Sequence, residues 1–248
     1  MLSLYIYVSH SKISGSVSRF LTCNNFVKDL KNADSEKLIE AIYHTELKKQ
    51  INNAGGQVVG IQTGNKTDGI LTAKFLFDGK PKVLNLIIET KYDETFSSNL
   101  VRSKVLAQVI YYLKSIYSLG NELPNIVFVG DSDECFVLHI NLLQLYLQNN
   151  YDWTIAPSKA GIKNIELVDS LCNNNEIQKE CHVFTIDNNF LMREVVDRIV
   201  SSVNNVKLEM RINERSLSRV FDHFSMRVLN RRQTVLQSIL QGNKSNFL

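Results

Sequence analysis

The 248-residue sequence predicts an α/β domain with a central mixed β-sheet flanked by helices, followed by a helical C-terminal extension. Three observations carry that expectation. Segments of helical and strand periodicity follow one another as helix, three strands, helix, strand, strand between residues 35 and 140. A tight-turn signal, Asp78-Gly79, joins two of the strands. A short run, NIVFVG at 125–130, apolar after its first residue, reads as a strand buried on both faces and so implies helices above and below it.

Residues 1–33 are ambiguous: LYIYV at 4–8 has strand character and Phe20 to Leu30 helical character. The first clear helix opens after an Asp34-Ser35 cap. Leu38, Ile39, Ile42, Tyr43, Leu47 and Ile51 recur at spacings of three and four, and Asn53-Ala54-Gly55-Gly56 ends it. Strand character then appears at QVVGIQ (57–62), ILTAKFLF (70–77) and VLNLIIETK (83–91). Pro81, which lacks an N–H, predicts full pairing of the returning strand only from Val83 onward. VRSKVLAQVIYYLKSIYSL (101–119) is a second helix, closed by Gly120. DSDE (131–134) reads as a turn, CFVLHI (135–140) as a strand and LLQLYLQ (142–148) as a helix. The domain is expected to span 1–150, with 151–248 as an α/β-to-helical extension or connector. That extension holds a strand at HVFTID (182–187), a helix at 189–203 and a longer helix from Ser216 to Leu240. Its arginines (Arg198, Arg211, Arg215, Arg219, Arg227, Arg231, Arg232) suit a solvated helix face as well as they suit a functional role, either a phosphate-contacting face or a helical connector.

Composition narrows the function classes. With 44% hydrophobic and 21% charged residues the chain has a globular, not a disordered, make-up. No stretch offers the roughly 18 uncharged apolar residues of a membrane span, and no basic region precedes the apolar start, so no signal peptide is read there. Four scattered cysteines without a CxxC pair argue against a zinc site or disulfide framework, and a reduced, cytoplasmic setting is expected. The formal charge of +3 permits nucleic acid as a partner.

The chemistry is expected at the hairpin of residues 68–91. A two-residue loop at Asp78-Gly79 makes paired positions sum to 157 and sets Asp68 opposite Glu89; a four-residue loop sets Asp68 opposite Lys91. Either register gathers Asp68, Glu89 and Lys91 on one face, whereas a one-residue slip would turn Asp68 away. A Glu-x-Lys alone is usually a solvated strand edge, but here it ends the apolar run LNLII, and charges are rarely buried without partners. Two carboxylates so close repel unless one is protonated or a cation lies between them, and Mg²⁺ favours such a site. Lys91 would orient or activate a water, or stabilise charge on a phosphate.

Asp68 followed by Glu89-Thr90-Lys91 resembles the Asp…Glu-x-Lys signature of the PD-(D/E)xK restriction-endonuclease-like nucleases, with Thr67 in place of the usual preceding proline. The resemblance covers about residues 35–140. It implies that Asp68, Glu89 and the backbone carbonyl of Thr90 hold Mg²⁺, with Mn²⁺ as a substitute, and that Lys91 joins Asp68 and Glu89 in catalysis. A helix glutamate facing the site is implied too, for which Glu46 is the best match and Glu40 the second. Gln108 and Tyr112, at i and i+4 on one helix, match the QxxxY motif of RecB-like nucleases. A small nuclease domain followed by an Arg-bearing helical segment is further similar to the amino-terminal part of single-chain restriction-modification enzymes, although no methyltransferase motif is present. The implied activity is hydrolysis of double-stranded DNA, with a methyltransferase or specificity partner in the same or another chain and dimerisation on DNA. A repair or recombination nuclease of the same fold, or a non-catalytic DNA-binding module, are the alternatives.

The five histidines show no metal-ligand spacing and read as structural. Asp131 and Asp133 read as a turn, and Cys135 and Cys181 as small buried hydrophobes.

Overall fold

A computed structural model describes residues 26–63, 67–188 and 191–205. The expected strand at 4–8, the first part of the 20–30 segment and the long helix at 216–240 with its arginines lie outside those residues. Within the 20–30 segment, residues from 26 onward are helical, as far as 31.

The elements are helix α1 (Glu36–Asn53), strands β1 (Gln57–Gln62), β2 (Gly69–Phe77) and β3 (Lys80–Thr90), helix α2 (Asn99–Ser118), strands β4 (Ile126–Gly130) and β5 (Glu134–His139), short helices α3 (Pro157–Lys163), α4 (Ile165–Cys172) and α5 (Asn175–Glu180), strand β6 (His182–Thr185) and helix α6 (Leu191–Asn205). The six strands form one mixed sheet in sequence order. Only the β3–β4 pair is parallel, because α2 carries the chain across between them; the other neighbours are antiparallel.

Side chains alternate across β3, and the two faces have different covers. Leu84, Leu86 and Ile88 pack with Ile39, Tyr43, Leu47 and Ile51 of α1 and with α6. Ile87, with Val127 and Val129 of β4, packs under α2 and the helices of 157–180. Each of these fully buried aliphatic side chains is worth about 2 kcal/mol over leaving it in water.

Two expectations, the late pairing after Pro81 and the helix at 142–148, need correction. Pairing in the hairpin starts at once, with Phe77 opposite Lys80 and Leu76 opposite Pro81. Pro81 is tolerated because alternate N–H groups of β3 point away from β2, and β4 joins β3 only at Leu86. Residues 142–148 form no α-helix but two 3₁₀ turns, Ile140–Leu142 and Gln144–Gln148. Beyond residue 150 the chain stays in the same layers: β6 extends the sheet beside β5, and the compact unit runs to Asn205.

The turn residues Asp78 and Gly79 both have positive φ, 50° and 75°, the mirror-image turn that suits the twist of a hairpin. The register sums to 157 along the whole ladder from Phe77–Lys80 to Gly69–Ile88. Gly130, at the end of β4, lies beneath the ring of Tyr43 on α1; a Cβ there would come within 2.6 Å of ring atoms. The Tyr43 hydroxyl donates to the Asp131 carbonyl at 2.7 Å, and the Gly130 carbonyl accepts from the Lys91 N–H at 2.9 Å. Tyr43, in the middle of α1, thereby ties that helix to the carboxyl ends of β3 and β4.

Candidate metal centre

Beyond the pair Gly69–Ile88 the β2–β3 ladder stops, and the chain bends at Thr67 and Asp68. Asp68 is therefore not a regular cross-strand partner of Glu89. Its Oδ2 accepts the Thr90 N–H at 2.6 Å and the Thr90 hydroxyl at 2.7 Å. Lys91, after the end of β3, turns its ammonium back over the cluster and donates to Glu89 Oε1 at 2.5 Å, to the Thr90 carbonyl at 2.8 Å and to Glu36 Oε1 at 3.2 Å.

Asp68, Glu89 and Lys91 thus meet at the carboxyl end of β3, joined by a glutamate absent from the expected set. Glu36, Asp68 and Glu89 each offer a carboxylate oxygen, all within 4.8 Å of one another. Glu36 is the first residue of α1. An acid in a first turn is what the helix dipole favours in any helix, so nothing in the sequence alone distinguishes it. Glu46 does not join the cluster. It lies ten residues along α1, about 15 Å down the helix axis, where its carboxylate accepts from Lys49 at 3.0 Å and from Gln50 at 2.6 Å. Glu40 stands closer: burial, and then the charge of Asp68, hold its carboxyl above the usual range.

Glu89 is the centre of the arrangement. It is 1% exposed. Its Oε1 takes Lys91 and also the Gln108 amide at 2.5 Å, while Oε2 is buried with no hydrogen-bond partner. The same Gln108 amide donates to the Tyr112 hydroxyl at 2.7 Å, so the i, i+4 pair on α2 does reach the cluster. Burial, reinforced by the charges of Asp68 and Glu36 against the pull of Lys91, pushes Glu89 up to about 8. For Lys91 burial opposes the charged form, but the charge and hydrogen bond of Glu89, with Glu36 and Asp68, outweigh it and raise the ammonium's pKa. Tyr112 is pushed up to about 12, by burial and then by Glu89. His44 packs against the backbone at Gly69, where a Cβ would approach its Nε2 to 2.9 Å, and burial lowers its pKa.

The residues fit a hard divalent cation. All candidate ligands are oxygens: three carboxylates and the Thr90 carbonyl. With Glu89 ionised, three acids against one ammonium leave two excess negative charges, and a buried carboxylate oxygen without a partner is a costly feature that a cation would remove.

Asp131 and Asp133 belong to a turn, not to this cluster. The buried Asp131 carboxylate accepts the N–H groups of Glu94 and Asp133 at 2.8 and 2.7 Å. Cys135 and Cys181 are buried and unpaired, and burial raises both thiols. Among the described residues no helix is long and apolar enough to cross a membrane.

No protein-family model matches the sequence, and comparisons with curated proteins and with solved structures find no match.

Proposed function

We propose that the chain is a Mg²⁺-dependent DNA endonuclease of the PD-(D/E)xK type, the nuclease part of a restriction-modification system acting on duplex DNA in the cytoplasm. One observation carries the reading: a nearly inaccessible glutamate, with one oxygen unpartnered, lies beside two further acids and a lysine at the end of a buried strand. A structural ion pair alone needs neither the second and third acids nor the amide of Gln108 turned on the same carboxylate.

In this reading Asp68, Glu89, Glu36 and the Thr90 carbonyl hold the ion, whose role when bound is Lewis-acid activation of the scissile phosphodiester and the attacking water. Gln108 fixes the rotamer of Glu89, and Tyr112 fixes Gln108. The raised pKa of Lys91 keeps it an ammonium at neutral pH. That suits a donor to a phosphate oxygen as charge builds there, rather than a base. In the reaction a water oxygen bonds to phosphorus as the bond to one ester oxygen breaks; the attacking water gives a proton to solvent, and the leaving alkoxide takes one from solvent.

The test is incubation of duplex DNA with the full chain in Mg²⁺ and in EDTA. Cleavage is expected with Mg²⁺ only, and is expected to vanish in folded Asp68→Ala. Undiminished cleavage by that variant would refute the assignment.

A further inference from the structure

Thr90 lies between Glu89 and Lys91, and its backbone carbonyl is one of the candidate cation ligands. Its side chain is wholly buried, and its hydroxyl donates to the same Asp68 oxygen, Oδ2, that its own N–H holds. We propose that the Thr90 hydroxyl is a positioning group for the divalent-cation site, locking Asp68 so that the carboxylate oxygen Thr90 does not hold is presented to the ion. The inference rests on the metal-centre reading above and adds to it a group that touches neither ion nor DNA.

The backbone explains how the lock arises. Alternate N–H groups of β3 point to β2 and to β4; that of Lys91 goes to Gly130 on β4, so that of Thr90 faces β2. Continued by one step, the ladder would bring the carbonyl of residue 67 to the Thr90 N–H. The bend at Thr67 and Asp68 replaces that carbonyl with the Asp68 carboxylate. One N–H on one oxygen leaves a carboxylate free to swivel. A second donor on the same oxygen, carried on a β-branched side chain with restricted χ1, removes that freedom.

The strand has no use for the hydroxyl itself. Valine has the same shape and suits a buried strand at least as well, and burying a hydroxyl costs free energy that only its hydrogen bond offsets. Groups that orient metal ligands from behind typically change affinity about 10- to 100-fold when removed.

The experiment is calorimetric titration of the full chain with Mn²⁺, without DNA, for the wild type, Thr90→Val and Thr90→Ser. Thr90→Val is expected to weaken Mn²⁺ binding about 10-fold or more, and Thr90→Ser, which keeps the hydroxyl, to remain within a few-fold of the wild type. Melting in chelator should fall by only about 2–4 °C for Thr90→Val, the effect of one lost hydrogen bond in a protein of this size. Wild-type affinity in Thr90→Val, or a melting point about 10 °C lower that serine restores while metal affinity is unmoved, would assign the hydroxyl to the fold and overturn the inference alone. No Mn²⁺ binding by the wild type would overturn the metal-centre reading and the inference with it.

Discussion

Glu89→Gln should reduce Mg²⁺-dependent DNA cleavage by about 10²- to 10³-fold, the scale on which losing one preorganised electrostatic group acts, while the protein remains folded. Glutamine has the shape of glutamate and keeps an oxygen for the Lys91 ammonium and the Gln108 amide, which both bond Oε1. Its amide nitrogen takes the place of Oε2, the buried oxygen with no partner. The change therefore removes one negative charge and one cation ligand with little disturbance of packing. The charge matters because the Glu89 carboxylate is buried: the same carboxylate in water would attract a divalent ion only weakly. Initial rates on duplex DNA, with circular dichroism to verify folding, check the expectation. Cleavage within a few-fold of wild type would mean that Glu89 belongs to a structural ion pair.

The second large effect is on stability. In chelator, Glu89 has a folded-state pKa of about 8 against an ordinary value of 4.5. Between those values the folded chain holds a proton that the unfolded chain has released, so stability falls as pH rises from about 4.5 to about 8. The slope contributed by this one group is at most about 1.4 kcal/mol per pH unit, or a few kcal/mol across the window. Below the window both states are protonated and above it both are ionised, so the contribution is flat. His44 and His139, whose pKa values burial lowers, act in the opposite sense, gaining stability as pH rises toward 6.5. Urea melts of wild type and Glu89→Gln across pH 4.5–8.5 separate these contributions: the difference between the two proteins should follow the Glu89 window. Parallel curves would mean that the folded chain does not hold the Glu89 proton in this range.

The sequence made the β2–β3 hairpin legible because Asp78-Gly79 admits a two-residue mirror-image turn, and that turn sets the register of every pair behind it. From the register came the meeting of Asp68, Glu89 and Lys91. The bend that takes Asp68 out of the ladder was not legible, because it depends on a carboxylate replacing a carbonyl. Glu36 was hidden for a different reason: which turn of α1 meets the end of β3 depends on Tyr43 seating over Gly130, a contact between residues 87 apart in sequence. Choosing Glu46 followed from its place in the chain, not from packing. The helices of 157–180 are seven, eight and six residues long, too short for periodicity to mark them, although Pro157 at a first turn and the capping side chains of Asn164 and Asn174 were signals.

Everything proposed for this chain depends on a divalent ion being held by side chains from α1, the bend before β2 and the end of β3. Titration of the intact protein with Mn²⁺, monitored by the broadening of water-proton relaxation or by calorimetry, addresses that directly. Saturable binding by the wild type, lost in Asp68→Asn and in Glu89→Gln, is the expected result. Binding that survives in both variants, or a wild type that binds no ion at millimolar concentration, would contradict it.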